Sequence, residues 1–149
     1  MTTPDAVHPG AALTMLSEDE ELFRDAVRQF AREQVAPRVR AMDEAQQIDA
    51  ELIPGFFELG IMGIEIPEEH GGLESSFFTA VLVVEELSRV DASVGVFVDV
   101  QNTLVNNAFL QWGSPELQGR YLPRLVSDTV GAYALSEAGS GSDAFALTT

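Results

Sequence analysis

The sequence has 149 residues, enough for one domain with a sizeable core, and 46% of them are hydrophobic, which argues against a disordered chain. It has no cysteine, so disulfides, thiolate metal sites and thiol nucleophiles are excluded. The formal net charge of −16 opposes binding to nucleic acid and to anionic lipid, and it obliges any site for a polyanionic ligand to use local donors such as backbone N–H groups.

Residues 1–16 lack periodicity and read as a flexible tail. They also lack Lys and Arg, which secretory and mitochondrial leaders require. No apolar run reaches the roughly 18 residues of a membrane span. The default location is cytoplasmic, or the mitochondrial matrix if a transit peptide has been removed.

Ser17-Glu18-Asp19-Glu20 has the form of a capping box, and Phe23, Val27, Phe30 and Ala31 recur at helical spacing behind it. Pro37 is expected to disturb or end that helix. Asp49 can cap a second helix bearing Leu52, Ile53, Phe56, Phe57 and Leu59, which Pro54 shortens or bends and Gly60 ends. Ile64-Glu65-Ile66-Pro67 is expected to be extended, with a loop over Glu68 to Gly72.

Ser76 can open a third helix with Ala80, Val81, Val84 and Leu87 on its apolar face. Asp91 or Ser93 can cap a fourth, from Val94 to about Gln111, stopped by Gly113. Ser114-Pro115 starts a fifth, made amphipathic by Leu117, Tyr121, Leu122 and Leu125. Residues 17–129 thus read as a bundle of about five helices. From Val130 the pattern changes. Val130 to Leu135 is strand-like, Ser136 to Asp143 is a small polar loop, and Phe145 to Thr149 resembles the start of another strand. A lone strand pair cannot bury itself, so residues 130–149 are expected to open a second, β-containing domain.

Several residues invite a chemical reading. Gly139-Ser140-Gly141-Ser142-Asp143-Ala144 matches G-x-G-x-x-A, but the preceding helical bundle is not the βαβ unit that a dinucleotide fold requires. What survives is a loop whose small residues admit close backbone approach to an anion; the alternative is a mobile loop. Glu85 and Glu86 do not share a helix face, while Glu85 and Arg89 suit an exposed ion pair. His8 and His70 have no ligand partners at metal-binding spacing. Trp112 and the phenylalanines read as core. Asp99, Gln101, Asn102, Thr103 and Asn106 are polar positions within an apolar helix, either an exposed stripe or the lining of a cavity.

Taken together, five segments resemble the acyl-CoA dehydrogenase family. They are Ile64-Glu65-Ile66-Pro67-Glu68-Glu69-His70-Gly71-Gly72, Val84-Glu85-Glu86-Leu87-Ser88-Arg89, Gln111-Trp112-Gly113-Ser114-Pro115-Glu116-Leu117-Gln118, Tyr121-Leu122-Pro123 and Ala134-Leu135-Ser136-Glu137-Ala138-Gly139-Ser140-Gly141-Ser142-Asp143. They occur in family order and span nearly everything after Leu16. Ala138 departs from the proline common in the family. The run Ser136 to Leu147, with Gln101-Asn102-Thr103-Leu104 upstream, looks most like the short/branched-chain (2-methylacyl) branch.

The resemblance implies an N-terminal helical-bundle domain followed by the first strand and loop of a middle β-domain, with a C-terminal helical domain in complete members. It implies FAD as cofactor, an acyl-CoA thioester as substrate, a homotetramer, and electron-transfer flavoprotein as electron acceptor. The activity it implies is α,β-dehydrogenation to a 2-enoyl-CoA, in fatty acid metabolism or branched-chain amino acid catabolism. Tyr133, Ala134, Leu135, Ser136, Glu137, Ala138, Gly139, Ser140, Gly141 and Ser142 would form the flavin-binding segment. Ser136 would donate its hydroxyl to the flavin edge, and Ser142 would also meet the thioester–pantetheine part of the substrate. Family members place their catalytic base after the β-domain, so no catalytic residue is assigned and this chain alone is expected to be an inactive fragment. The alternative is a non-catalytic helical partner or regulatory subunit that retains the fold.

Overall fold

The computed structural model describes residues 15–149; the tail expected over residues 1–14, with His8, lies outside the described residues. The first helix, α1 (Glu18–Phe30), begins on the capping box: Ser17 Oγ accepts from Glu20 N–H and the Glu20 carboxylate accepts from Ser17 N–H. Its expected inner face is inward, with Val27 and Ala31 buried and Phe23 and Phe30 packed beside them.

Pro37 disturbs the rod without ending it. Residues Ala31–Val35 widen into a π-turn, in which Ala36 N–H reaches back five residues to the Ala31 carbonyl. A 3-10 turn (Ala36–Arg38) follows, and the rod resumes as α2 (Val39–Ala45). The local rewinding accommodates a residue that has no N–H and crowds the preceding turn. A left-handed Gln46 closes the rod.

Asp49 caps a 3-10 turn (Ala50–Leu52) leading into α3 (Ile53–Glu58), where Pro54 lies in the first turn and costs no hydrogen bond. Gly60, at φ +73°, ends it. Residues 61–66 then run through the protein interior: Ile61, Met62, Ile64 and Ile66 are fully buried. The expected loop after Pro67 contains a 3-10 turn, Glu68–His70, closed by Gly71 at φ +88°.

Ser76 caps α4 (Phe77–Ser88), and Asp91, rather than Ser93, caps α5 (Ala92–Asp99). A π-segment (Val100–Asn106) joins α5 to α6 (Asn107–Trp112), so the fourth rod spans the region expected and stops at Gly113. Ser114 and Pro115 start α7 (Pro115–Ser127), which continues through Pro123. Counted as rods among the described residues, 18–45, 53–58, 77–88, 92–112 and 115–127 make the five expected.

The main core lies between α1, α3, α4 and α5, and includes Val27, Phe56, Met62, Val83, Leu87 and Val98. A second cluster, Ile66, Val105, Leu122 and Leu125, joins the π-segment to α7. A part-buried ion pair stitches α1 to α4. Arg28 donates from Nε and Nη2 to the Glu86 carboxylate at 2.8 and 2.7 Å, and Glu86 is buried. These bonds, foremost among the influences on it, hold the Glu86 carboxyl below its usual range. Glu85, on the neighbouring face, makes the expected exposed pair with Arg89.

Several expectations are overturned. Trp112 is not core: at the last position of α6, before Gly113, it is 87% exposed. Among the phenylalanines, Phe77 and Phe145 are also exposed. Val130 to Leu135 and Phe145 to Thr149 form no strand; among the described residues the sole β feature past α7 is an isolated bridge between Glu137 and Ser140. A strand needs a neighbour for its backbone groups, and these segments have none within the described residues. No helix is long and apolar enough to cross a membrane among the described residues.

Candidate functional site

The buried stretch 61–66 carries backbone groups that water cannot reach, and two asparagines of the π-segment serve them. Asn102 Nδ2 donates to the Ile61 carbonyl at 2.8 Å, and its Oδ1 accepts from Ile64 N–H at 3.0 Å. Asn106 Nδ2 donates to the Met62 carbonyl at 2.8 Å. Three further carbonyls of the stretch pair with residues beyond the turn: Leu73, Glu74 and Ser75 N–H donate to the Gly63, Ile66 and Ile64 carbonyls.

The same side chains account for the wide turn. Asn102 Nδ2 also donates to the Val98 carbonyl, and Thr103 Oγ1 donates to the Asp99 carbonyl, each at 2.9 Å. Both carbonyls would ordinarily receive the N–H four residues on. With side chains inserted there, the ladder shifts to five-residue spacing, as in Asn107 N–H to Asn102 O. Gln101, Asn102 and Asn106 are therefore neither an exposed stripe nor a cavity lining, but buried partners of distant backbone. Among the described residues two buried side-chain oxygens lack partners, Asn106 Oδ1 and Glu65 Oε2, and burial pushes the Glu65 carboxyl up.

With its carboxamides turned inward, the fourth rod presents aliphatic side chains outward. Val96 is 57% exposed, and Leu104 is also exposed. Helix α4 is apolar on two faces: Leu82, Val83 and Leu87 are buried, whereas Phe77 and Val81, the latter expected inside, are exposed. Between these surfaces lies an apolar groove of about 160 Å³, lined by Phe77, Ala80, Val81, Val84, Asp99 and Thr103. An apolar outward face of this kind marks a surface that a further ligand or element covers.

The segment expected to meet a cofactor follows α7. Tyr133, Ala134, Leu135 and Ser136 are exposed and run without helix or strand. Glu137 and Ser140 close a tight turn through reciprocal N–H to carbonyl bonds of 2.9 and 3.1 Å, with Ala138 and Gly139 at its exposed tip. Ser140 is buried and gives its hydroxyl to the Asp143 carbonyl at 2.6 Å, so it acts within the loop. The Glu137 carboxylate accepts from Thr148 N–H at 2.9 Å and Thr149 N–H at 3.1 Å. Hydrogen bonds from Thr149 and Thr148 lower its pKa to about 2, so it remains ionised at neutral pH.

Gly141 and Ser142 are exposed. Among the described residues, the Ser136 and Ser142 hydroxyls and the N–H groups of Tyr133 to Ser136, Ala138, Gly139, Gly141 and Ser142 donate to no protein acceptor. A Cβ at Gly139 or Gly141 would meet nothing within 4 Å, and neither residue has positive φ. Nothing in the chain's own packing requires glycine at either place. A row of free donors beside two glycines with open space above them fits the approach of an anionic group.

This helical architecture is that of the acyl-CoA dehydrogenases. It superimposes on butyryl-CoA dehydrogenase from Megasphaera elsdenii with a TM-score of 0.83 and 29% identity, over 91% of this chain and 36% of that one. It matches equally well, at TM-score 0.83 and 34% identity, a chain from a study of the electron transferring flavoprotein of Acidaminococcus fermentans, over 89% of this chain and 35% of that chain.

The chain belongs to the acyl-CoA dehydrogenase family: the family's N-terminal domain matches residues 17–129. Among sequence relatives, the mitochondrial short/branched chain specific acyl-CoA dehydrogenase of Rattus norvegicus is 46% identical over 139 residues, 93% of this chain and 32% of the relative. The probable short/branched chain specific acyl-CoA dehydrogenase of Dictyostelium discoideum is 45% identical, over 92% of this chain and 33% of its own length. The chain thus spans about a third of the length of these relatives.

Proposed function

We propose that this chain supplies the acyl-facing helices and the first flavin-contact segment of a FAD-dependent acyl-CoA dehydrogenase that acts on short or branched acyl-CoA thioesters. The observation that carries this reading is the apolar groove between α4 and the fourth rod. Phe77, Ala80, Val81 and Val84 of α4 line it together with Asp99 and Thr103 of the rod, which buries Gln101, Asn102 and Asn106 and leaves Val96 and Leu104 exposed. An acyl chain is the portion of the substrate that such a surface desolvates favourably.

FAD, when bound, accepts the hydride that leaves the acyl β-carbon. The residues of this chain bind and orient. The N–H groups of the Tyr133–Ser142 segment and the Ser136 hydroxyl offer donors to the cofactor, and Ser142 offers one to the thioester–pantetheine portion. The groove excludes water from the acyl chain. The group that removes the α-proton is not among these residues. A homo-oligomer that passes its electrons to an electron-transfer flavoprotein completes the proposal.

The test is anaerobic addition of short, 2-methyl-branched and long acyl-CoAs to the full-length flavoprotein, followed by flavin absorbance. Bleaching by short and branched substrates at low concentration supports the reading. A flavoprotein that none of them bleaches contradicts it.

A further inference from the structure

Gln101 grips both sides of a single turn. Its Nε2 donates to the Leu125 carbonyl at 2.9 Å, in the last turns of α7, and to the Thr129 carbonyl at 3.2 Å, just beyond the helix. Its Oε1 accepts from Gly131 N–H at 2.8 Å. Gln101 is 1% exposed, and its bond to the Leu125 carbonyl is buried while the other two are part-buried. Gly131 is seated as firmly. A Cβ there would overlap Val105 Cγ1, and Val105 lies one turn along the same π-segment.

Two residues beyond Gly131 the exposed run Tyr133–Ser142 begins. Another side of the same rod carries Asp99 and Thr103, which line the apolar groove. One rod therefore bears the groove and also fixes the take-off of the loop. A hydrophobic side chain of similar volume would fill the space that Gln101 occupies but would hold neither carbonyl nor the amide.

We propose that Gln101 is a positioning residue. It sets where the Tyr133–Ser142 segment leaves the bundle, and so sets that segment against the groove on the same rod. The proposal rests on the flavin role given to this segment above. Reacting groups misplaced by about 1 Å can cost on the order of 100-fold in rate, so such a clamp would be felt in turnover rather than in substrate binding.

The test uses Gln101→Leu, which removes all three bonds at similar volume, and Gln101→Glu, which keeps the acceptor for Gly131 but loses the donor to both carbonyls. Amide exchange is measured in the protein at Gly131, with Val98 as an internal reference. In Gln101→Leu, Gly131 should exchange about tenfold faster or more relative to Val98. In Gln101→Glu the clamp should tighten as pH falls, because protonating the introduced carboxyl restores one donor; the wild-type protein should show no such trend. In the flavin-loaded full-length enzyme, both variants at neutral pH should lose at least about tenfold in kcat, with KM for acyl-CoA within about twofold. Unchanged Gly131 exchange, or an unchanged kcat in a flavin-loaded variant, overturns the proposal while leaving the flavin reading intact. A wild-type full-length protein that binds no flavin overturns both.

Discussion

In the helical region, five of the six carbonyls of residues 61–66 find donors inside the chain, in Asn102, Asn106 and residues 73–75, and Asn102 also accepts from Ile64 N–H. In Tyr133–Ser142, most N–H groups and the Ser136 and Ser142 hydroxyls find none among the described residues. The first region spends polar side chains to close itself. The second holds its shape through a few loop bonds of Glu137 and Ser140 and leaves its donors facing outward. Internal satisfaction marks a segment that maintains the fold, and free donors beside unneeded glycines mark one that awaits a partner.

The contrast is broken most directly at Asn102. Asn102→Leu leaves the Ile61 carbonyl and Ile64 N–H buried without partners, and should cost about 3–4 kcal/mol in urea unfolding followed by circular dichroism. Ser136→Ala, at an exposed hydroxyl with no partner in the chain, should change stability by less than about 0.5 kcal/mol. Equal effects would erase the distinction between the two regions.

The glycines sharpen it. A Cβ at Gly72 would overlap the Ile66 carbonyl oxygen, which is backbone and cannot swing aside. Gly72→Ala should therefore cost about 2–3 kcal/mol. Gly139→Ala, with open space at its Cβ position, should lie within about 1 kcal/mol of wild type. Thermal denaturation of the two variants side by side checks both.

Titration separates two carboxylates within the helical region. Glu86 is held below its usual pKa by Arg28, so its pair contributes fully above the ordinary carboxylate value of 4.5 and is lost as pH falls through the lowered one. Glu86→Gln should cost about 1–2 kcal/mol at neutral pH, less than a wholly buried pair because Arg28 is partly exposed, and should flatten the acid limb of the stability curve. Glu65 has the opposite sign. Burial raises its pKa, so the fold loses stability as pH rises through that value, and Glu65→Gln should gain up to about 1 kcal/mol at neutral pH. Stability measured from pH 3 to pH 8 checks both signs.

Local chemistry was legible in the sequence. The caps at Ser17, Asp49, Ser76, Asp91 and Ser114 act within three residues, Gly60 stops its helix at a positive φ, and Gly113 stops α6 where a Cβ would overlap the Phe109 carbonyl, so each could be read in place. Partners far along the chain could not. Asn102 stood out as a polar residue in an apolar helix, yet its partners lie 38 and 41 residues away, and the sequence offered no reason to choose the Ile61–Ile64 backbone over solvent or a cavity. Val81 and Trp112 failed for a related reason: helical spacing identifies an apolar side chain but does not say whether this chain or another body covers it. The strand pattern after Val130 likewise describes what the segment can pair with, and among the described residues it pairs with nothing.

A smaller effect follows for catalysis. On the proposal that the α-proton is removed by a group outside these residues, the chain by itself should reduce no artificial electron acceptor with short or 2-methyl-branched acyl-CoAs. Turnover above background by the purified chain would place a base within it.

The outward-facing donors are tested most directly by flavin content in the full-length flavoprotein. Gly141 has open space at its Cβ position and no positive φ, so Gly141→Val should leave the bundle and the loop unstrained and obstruct only what approaches from outside. Ser136→Ala removes one hydroxyl, worth roughly 1–2 kcal/mol of cofactor interaction. With far-ultraviolet circular dichroism confirming equal helix content, the ratio of flavin to protein absorbance should be lower in Gly141→Val than in Ser136→Ala, and lower in both than in wild type. Full flavin occupancy in Gly141→Val would contradict the assignment of this segment as the cofactor contact.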